Sequence, residues 1–155
     1  MKTRKYITDD CVKLADLFFE TVHTVNARDY SKEQLYVWAN GKVNIEIWNK
    51  SFLEHNTIVA EEDGIIVGFG DMDNSGYLDR LYVHKEYQGK GIATAIITEL
   101  EQQAKLQEVY TLSAHSSITA KPFFEKNGYI VVRQNTVTRN AVKLINFIME
   151  KHLAK

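Results

Sequence analysis

Apolar and polar residues follow two different periods along this chain. Residues 3–7 alternate weakly and predict a short first strand. Thr8, Asp9 and Asp10 then place a cap and first-turn acids ahead of Cys11, Leu14, Ala15, Phe18 and Val22, whose spacing lines one face of a helix. Ser31, with Gln34 three positions on, is a capping box for a second helix that carries Leu35, Val37, Trp38 and Ala39 and stops at Gly41. From residue 57 the period shortens to two. Residues 57–61 and 65–71 read as strands joined by Glu62-Asp63-Gly64, and Asn74-Ser75-Gly76 turns the chain into a third strand over 77–83. A long helix over about 91–105 turns Ile92, Ile96, Ile97, Leu100 and Ala104 inward. A strand at 109–114, a helix at 121–126 ended by Asn127-Gly128, and strands at 129–138 and 142–150 complete the chain. The order β-α-α-β-β-β-α-β-α-β-β predicts a mixed sheet with helices on its faces, not a purely alternating βα fold.

Composition narrows the class. A chain of 155 residues with 45% hydrophobic and 25% charged residues suits one ordered domain, with no linker, repeat or low-complexity tract to divide it. A formal charge of -1 argues against a generic nucleic-acid binder. The single cysteine, Cys11, excludes an internal disulfide and a cysteine-rich metal site, and no His or acidic spacing points to a metal. The basic start lacks the apolar stretch of a secretory signal, and no run approaches the ~20 apolar residues of a membrane span. The expected location is cytoplasmic.

Candidate chemistry concentrates in Leu81-Tyr82-Val83-His84-Lys85-Glu86-Tyr87-Gln88-Gly89-Lys90-Gly91-Ile92-Ala93. Here a strand ends, small residues turn the chain and a long helix begins. Such a start presents unpaired N–H groups and a positive dipole end to a phosphate or pyrophosphate. It is no dinucleotide fingerprint, because Thr94 stands where the third Gly belongs, and no Walker loop, because Gly-Lys-[Ser/Thr] is absent.

The string Gln88-x-x-Gly91-x-Ala93 resembles the [R/Q]-x-x-G-x-[G/A] signature of the GNAT superfamily of acyl-CoA-dependent N-acetyltransferases. A second block, Ser117-x-x-Ala120-x-x-Phe123-Phe124-Glu125-Lys126-Asn127-Gly128-Tyr129, is similar to that family's N-x-x-A-x-x-F-Y-E-K-x-G-F. The stretch from Ser117 to Glu125 is further similar to a small, poorly characterised bacterial branch of the superfamily. The resemblance implies one α/β (α+β) domain over residues 1–155, with its core at about 3–151 and a mixed, mostly antiparallel central sheet carrying helices on both faces. It implies acetyl-CoA as acyl donor, a primary amine as acceptor and direct attack in a ternary complex. A small-molecule amine is the expected partner, with neither nucleic acid nor membrane involved, and the chain is expected as a monomer or homodimer.

The resemblance also implies site roles. The backbone of Leu81, Tyr82 and Val83 would pair with the pantetheine arm, with the Val83 N–H polarising the acetyl carbonyl. The N–H groups of Gln88, Gly89, Lys90, Gly91, Ile92, Ala93 and Thr94 would hold the pyrophosphate. Ser117, Ala120, Phe123 and Phe124 would flank the arm near the thioester. Two departures stand out: Phe124 lacks the Tyr hydroxyl that can protonate the departing thiolate, and Ser117 replaces Asn.

A base is expected, because a lysine-type ammonium with a pKa of about 10 must lose a proton before attack. By strand period, Tyr77, Asp79, Leu81 and Val83 share a face, so Asp79 points into the cofactor cleft as candidate base. The competing reading is an ion pair with Arg80 or Arg133. His115 and His84 are candidates that titrate near neutrality, against a reading as solvated loop histidines. Tyr82, Tyr110 and Tyr129 are replacement candidates for the acid. Cys11 reads as a packed thiol. The segment over 22–48, with His23, Asn26, Arg28, Tyr30, Trp38 and Trp48, is a candidate acceptor rim, although core packing is favoured for both tryptophans. Two rival functions remain. One is a non-catalytic acyl-CoA-binding or sensory module, suggested by Phe124, and the other is a nucleotide-binding protein using the same phosphate loop.

Overall fold

The hairpin signals organise the sheet. In the computed structural model, which describes residues 1–155, β2 (Asn56–Glu62), β3 (Ile65–Met72) and β4 (Tyr77–Val83) form an antiparallel meander through the expected turns. β1 (Lys2–Lys5) pairs with β2 at one edge, and β6 (Ile130–Arg139) pairs with β7 (Val142–His152) at the other. β5 (Thr111–Ser117) lies between β4 and β7, giving the order β1-β2-β3-β4-β5-β7-β6. Only the β4–β5 pair is parallel, so the sheet is mixed and mostly antiparallel.

Helices cover both faces. α1 (Cys11–Thr24), α2 (Lys32–Trp38) and α3 (Ile45–Glu54) pack Leu14, Phe18, Leu35 and Phe52 against Val59 and Phe69. On the other face, α4 (Ile92–Leu106) and α5 (Lys121–Lys126) pack Ile96, Leu100 and Phe124 against Val67, Leu112 and Met149. α4 approaches β3 closely because Gly70 has no side chain, and a Cβ there would lie 2.9 Å from Ile96 Cγ2. The expected capping box forms: Ser31 Oγ accepts from the Gln34 N–H at 3.1 Å, and Gln34 Oε1 accepts from the Ser31 N–H at 2.8 Å.

Three local expectations change. α3 was not expected; Asn44 caps it by accepting the Ile47 N–H at 3.1 Å, but only Phe52 is fully buried and Ile45, Ile47 and Leu53 stay exposed, which blurs the helical period. The first strand ends at Lys5, and β5 starts at Thr111 because Val109 still donates to Ala104 at the end of α4. The third change concerns the site directly. Leu78 pairs with Met72 and Arg80 with Asp71, so Asp79 is an extra residue, a β-bulge. Strict alternation across Tyr77, Asp79, Leu81 and Val83 is therefore broken. Leu78, Leu81 and Val83 pack on the α4 side instead, while Tyr82 turns to the α1 side.

Candidate active site

β4 and β5 pair only at Tyr77–Ser113 and Leu78–Ala114, and beyond that they diverge. The parted strands open a cavity of about 500 Å³, bounded by the start of α4 and by α5. At one end lies the loop before α4, where Gly89 and Gly91 adopt φ of 73° and 80°. The first helical bond there is Ala95 N–H to Gly91 C=O at 3.0 Å, and no protein acceptor meets the N–H groups from Gln88 through Thr94. This run of unpaired donors at a helix N-terminus is a cradle for an anionic group. Gln88 braces it, donating through Nε2 to the Val83 carbonyl at 2.6 Å, which also accepts from Thr21 Oγ1 at 3.0 Å.

The cavity wall contains Leu81, Tyr82, Val83, Gln88, Gly89, Gly91, Ile92, Ala93, Thr94, Ser117, Ala120, Phe123 and Phe124, so the two sequence blocks meet across it. Lys90 is the exception, its ammonium lying 5.0 Å from the Tyr87 ring centre. Ser117 Oγ accepts from the Ala120 N–H at 3.0 Å and so holds the turn into α5. Phe124 is buried and makes edge contacts with Phe123 and Tyr129, 5.3 and 5.2 Å between centroids.

A second cavity of about 410 Å³ adjoins the first, and both are lined by Trp38, Asp79, Arg80, Tyr82, His115 and Ser117. Asp79 sits at this junction with its side chain 38% exposed, 3.4 Å from Arg80 Nη2. Burial pushes its carboxyl above the ordinary range; the Arg80 charge opposes the rise and the Asp71 charge adds to it. Arg80 is therefore the ion-pair partner, while Arg133 sits elsewhere with Asn135. His115 is exposed at the same junction, its ring 5.3 Å from Tyr77.

Arg80 belongs to a network that sequence spacing did not reveal. Its Nε and Nη2 donate to the two oxygens of the fully buried Asp71 at 2.9 and 2.5 Å, and Nη2 also donates to Ser51 Oγ at 2.6 Å. The guanidinium stacks on Phe52 at 4.2 Å and Trp48 at 4.9 Å. His55 Nδ1 meets Asp71 at 2.7 Å, and that hydrogen bond raises the His55 pKa. His55, Asp71 and Asp79 bring ligand-type atoms within 4.8 Å of one another, but Arg80 already supplies the positive charge there.

The remaining candidates separate cleanly. Tyr82 lines both cavities, and burial pushes its hydroxyl pKa up. Tyr129 instead donates to Glu101 Oε2 at 2.9 Å, and Tyr110 and His84 line neither cavity. Cys11 is a buried free thiol against the Ile45 carbonyl, outside both cavities. Trp38 and Trp48 are only partly buried; they pack on the helix-side core and line the second cavity, combining the two roles considered for them.

Comparison with known proteins places this geometry in a family. An uncharacterized N-acetyltransferase, YafP of Escherichia coli strain K12, is 30% identical over 149 residues, covering 96% of this chain and 94% of that protein. A GCN5-related N-acetyltransferase structure from Rhodopseudomonas palustris is similar with a TM-score of 0.93 and 32% identity, covering 98% of this chain and 95% of that one. The PaiA N-acetyltransferase of Thermoplasma acidophilum, solved in complex with coenzyme A, shares the fold with a TM-score of 0.81 and 24% identity, over 97% and 98% of the two chains. No helix of the present chain is long and apolar enough to cross a membrane. Residues 26–151 match the acetyltransferase (GNAT) domain, and the chain belongs to that family of acyltransferases.

Proposed function

We propose that the protein transfers the acetyl group of acetyl-CoA to the primary amine of a small molecule by direct attack in a ternary complex. The observation that carries this reading is the junction of the two cavities. An anion cradle lies in one, an aromatic chamber forms the other, and Asp79 stands where they meet. The N–H groups of residues 88–94 hold the diphosphate, and the parted β4 and β5 leave backbone free to pair with the pantetheine arm. Asp79 takes one proton from the acceptor ammonium. The freed nitrogen lone pair attacks the thioester carbon, forming N–C as C–S breaks. One ammonium proton goes to solvent through Asp79 and the other ends on the CoA sulfur, so ammonium and thioester give amide, thiol and one proton. No covalent enzyme intermediate is needed, in keeping with the remoteness of Cys11.

Thermal shift with acetyl-CoA, CoA, ATP and NAD tests the ligand class. Stabilisation by the two CoA compounds alone is expected, and stabilisation by ATP or NAD instead supports the nucleotide-binding rival. Turnover separates catalysis from the non-catalytic module.

Asp79→Asn keeps the shape and removes the base. We expect kcat/KM to fall roughly 10²–10⁴-fold near neutral pH, with the deficit shrinking toward pH 10 as free amine becomes available. The wild-type acidic limb should lie above the ordinary carboxylate range, because burial raises the Asp79 pKa. An unchanged rate at every pH removes Asp79 from the role.

Phe124 leaves the sulfur without the family's usual acid, but a thiol of pKa about 8.5 departs in part as thiolate, so acid help is useful without being obligatory. Phe124→Tyr should bind acetyl-CoA normally and, where its hydroxyl reaches the sulfur, turn over at least as fast as wild type. A variant destabilised by about 1–3 kcal/mol with no gain in rate would show that the new hydroxyl is buried without a partner and away from the thioester.

A further inference from the structure

The second cavity has a charge pattern that discriminates among amines. Its wall is largely aromatic and aliphatic, from Phe18, Tyr30, Trp38, Trp48, Tyr82 and Leu144. Three permanently charged or acidic groups line it: Asp79, Arg80 and Arg139. Arg80 is spoken for by Asp71. Arg139 is not, since the ion pairs made by arginines involve Arg4, Arg28 and Arg80 alone.

Arg139 is exposed, on a hairpin that is itself anchored. It ends β6 opposite Val142, where Asn140 and Ala141 turn the hairpin with φ of 49° and 65°. The returning strand is latched to the helical layer: Tyr30 Oη donates to the Ile145 carbonyl at 2.7 Å, and Gln34 Nε2 donates to the Lys143 carbonyl at 2.9 Å. Arg80, Arg139 and Tyr82 all line this one cavity. The chamber thus offers one carboxylate at the donor junction, one unpaired guanidinium at the hairpin, and an apolar body.

We infer that the acceptor is an amine carrying its own carboxylate on a large apolar body, an α-amino acid with an aromatic or long aliphatic side chain. Its ammonium meets Asp79, its carboxylate meets Arg139, and its side chain lies against the aromatic wall. This rests on the acyltransferase reading above. A polyamine fits poorly, since its second cation would face Arg139 and Arg80 with a single, already shared carboxylate for compensation. An amino sugar fits poorly as well, since it carries no carboxylate for Arg139. The volume of about 410 Å³ falls within the roughly 300–1,000 Å³ of small-molecule sites.

The test compares amine pairs that differ only by the carboxylate. Rates with acetyl-CoA are measured for L-tryptophan, L-phenylalanine and L-leucine beside tryptamine, phenethylamine and isoamylamine, with spermidine and glucosamine added. Each amino acid should exceed its decarboxylated partner in kcat/KM by about tenfold or more, because the site is built around the missing group. Arg139→Gln should bring that ratio close to one, mainly by raising KM for the amino acids. An equal or reversed ratio in the wild type overturns the inference, as does a ratio that survives Arg139→Gln. Turnover confined to spermidine, glucosamine or the decarboxylated amines overturns it while leaving acetyl transfer intact. A folded protein that neither binds acetyl-CoA by calorimetry nor acetylates any of these amines removes the acyltransferase reading and this inference with it.

Discussion

A Gly91→Glu protein is expected to fold and to lose acetyl-CoA. Gly91 caps α4 in the left-handed region, and a Cβ added there meets nothing within 4 Å. The substitution therefore clashes with no protein atom, and its conformational cost is on the order of 1–2 kcal/mol. Its carboxylate, however, stands at the cradle formed by the unpaired N–H groups of residues 88–94. A like charge against a diphosphate should weaken binding about 100-fold or more, equivalent to roughly 2.7 kcal/mol. Gly91→Ala carries the same backbone strain without the charge and should retain most of the affinity. Calorimetric titration of both variants, with circular dichroism to confirm folding, separates the two effects. Wild-type affinity in a folded Gly91→Glu protein would remove the diphosphate assignment.

The second large effect is on stability. Asp71→Asn keeps the side-chain shape but leaves Arg80, only 11% exposed, without its full counter-charge. Breaking a buried pair from one side costs about 3–5 kcal/mol, so the melting temperature should fall by roughly 10 °C. Asp71→Asn combined with Arg80→Met removes the stranded cation and should recover part of the loss. Two pH effects accompany the single change. The Asp71 charge raises the Asp79 pKa, so its removal should move the acidic limb of kcat/KM to lower pH. His55 has a raised pKa in the folded protein through its bond to Asp71, so its contribution is full below its unfolded pKa of about 6.5 and fades as pH rises through the folded value. The stability gap between wild type and Asp71→Asn should therefore be wider at low pH than at high pH. A variant as stable as wild type would show that Asp71 and Arg80 are not a consequential buried pair.

These two positions mark the line between what the sequence disclosed and what it withheld. The strand-to-helix loop was legible because its information is local: Gly89 and Gly91 needed positive φ, and a strand preceded them as a helix followed. The hairpins and the Ser31–Gln34 cap were legible for the same reason. Asp71, Arg80, His55 and Ser51 were not, because they converge from β3, β4 and the end of α3, and α3 itself hides its period by exposing Ile45, Ile47 and Leu53. The bulge at Asp79 has no residue signature either. Alternation brought Asp79 to the cleft in expectation, and the bulge brings it to the cavity junction by a different route. Nothing in the sequence marked Arg139, since its place against the second cavity depends on how the β6–β7 hairpin is latched to α2.

The most direct test of direct acetyl transfer is a two-substrate initial-rate matrix on the wild-type protein, with acetyl-CoA and whichever amine of the panel above releases CoA fastest varied together, and CoA release and acetylated amine both measured. Attack within a ternary complex predicts intersecting double-reciprocal lines and equal amounts of the two products. Parallel lines, with acetyl recovered on the protein in the absence of amine, would contradict it, and so would CoA release without acetylated amine.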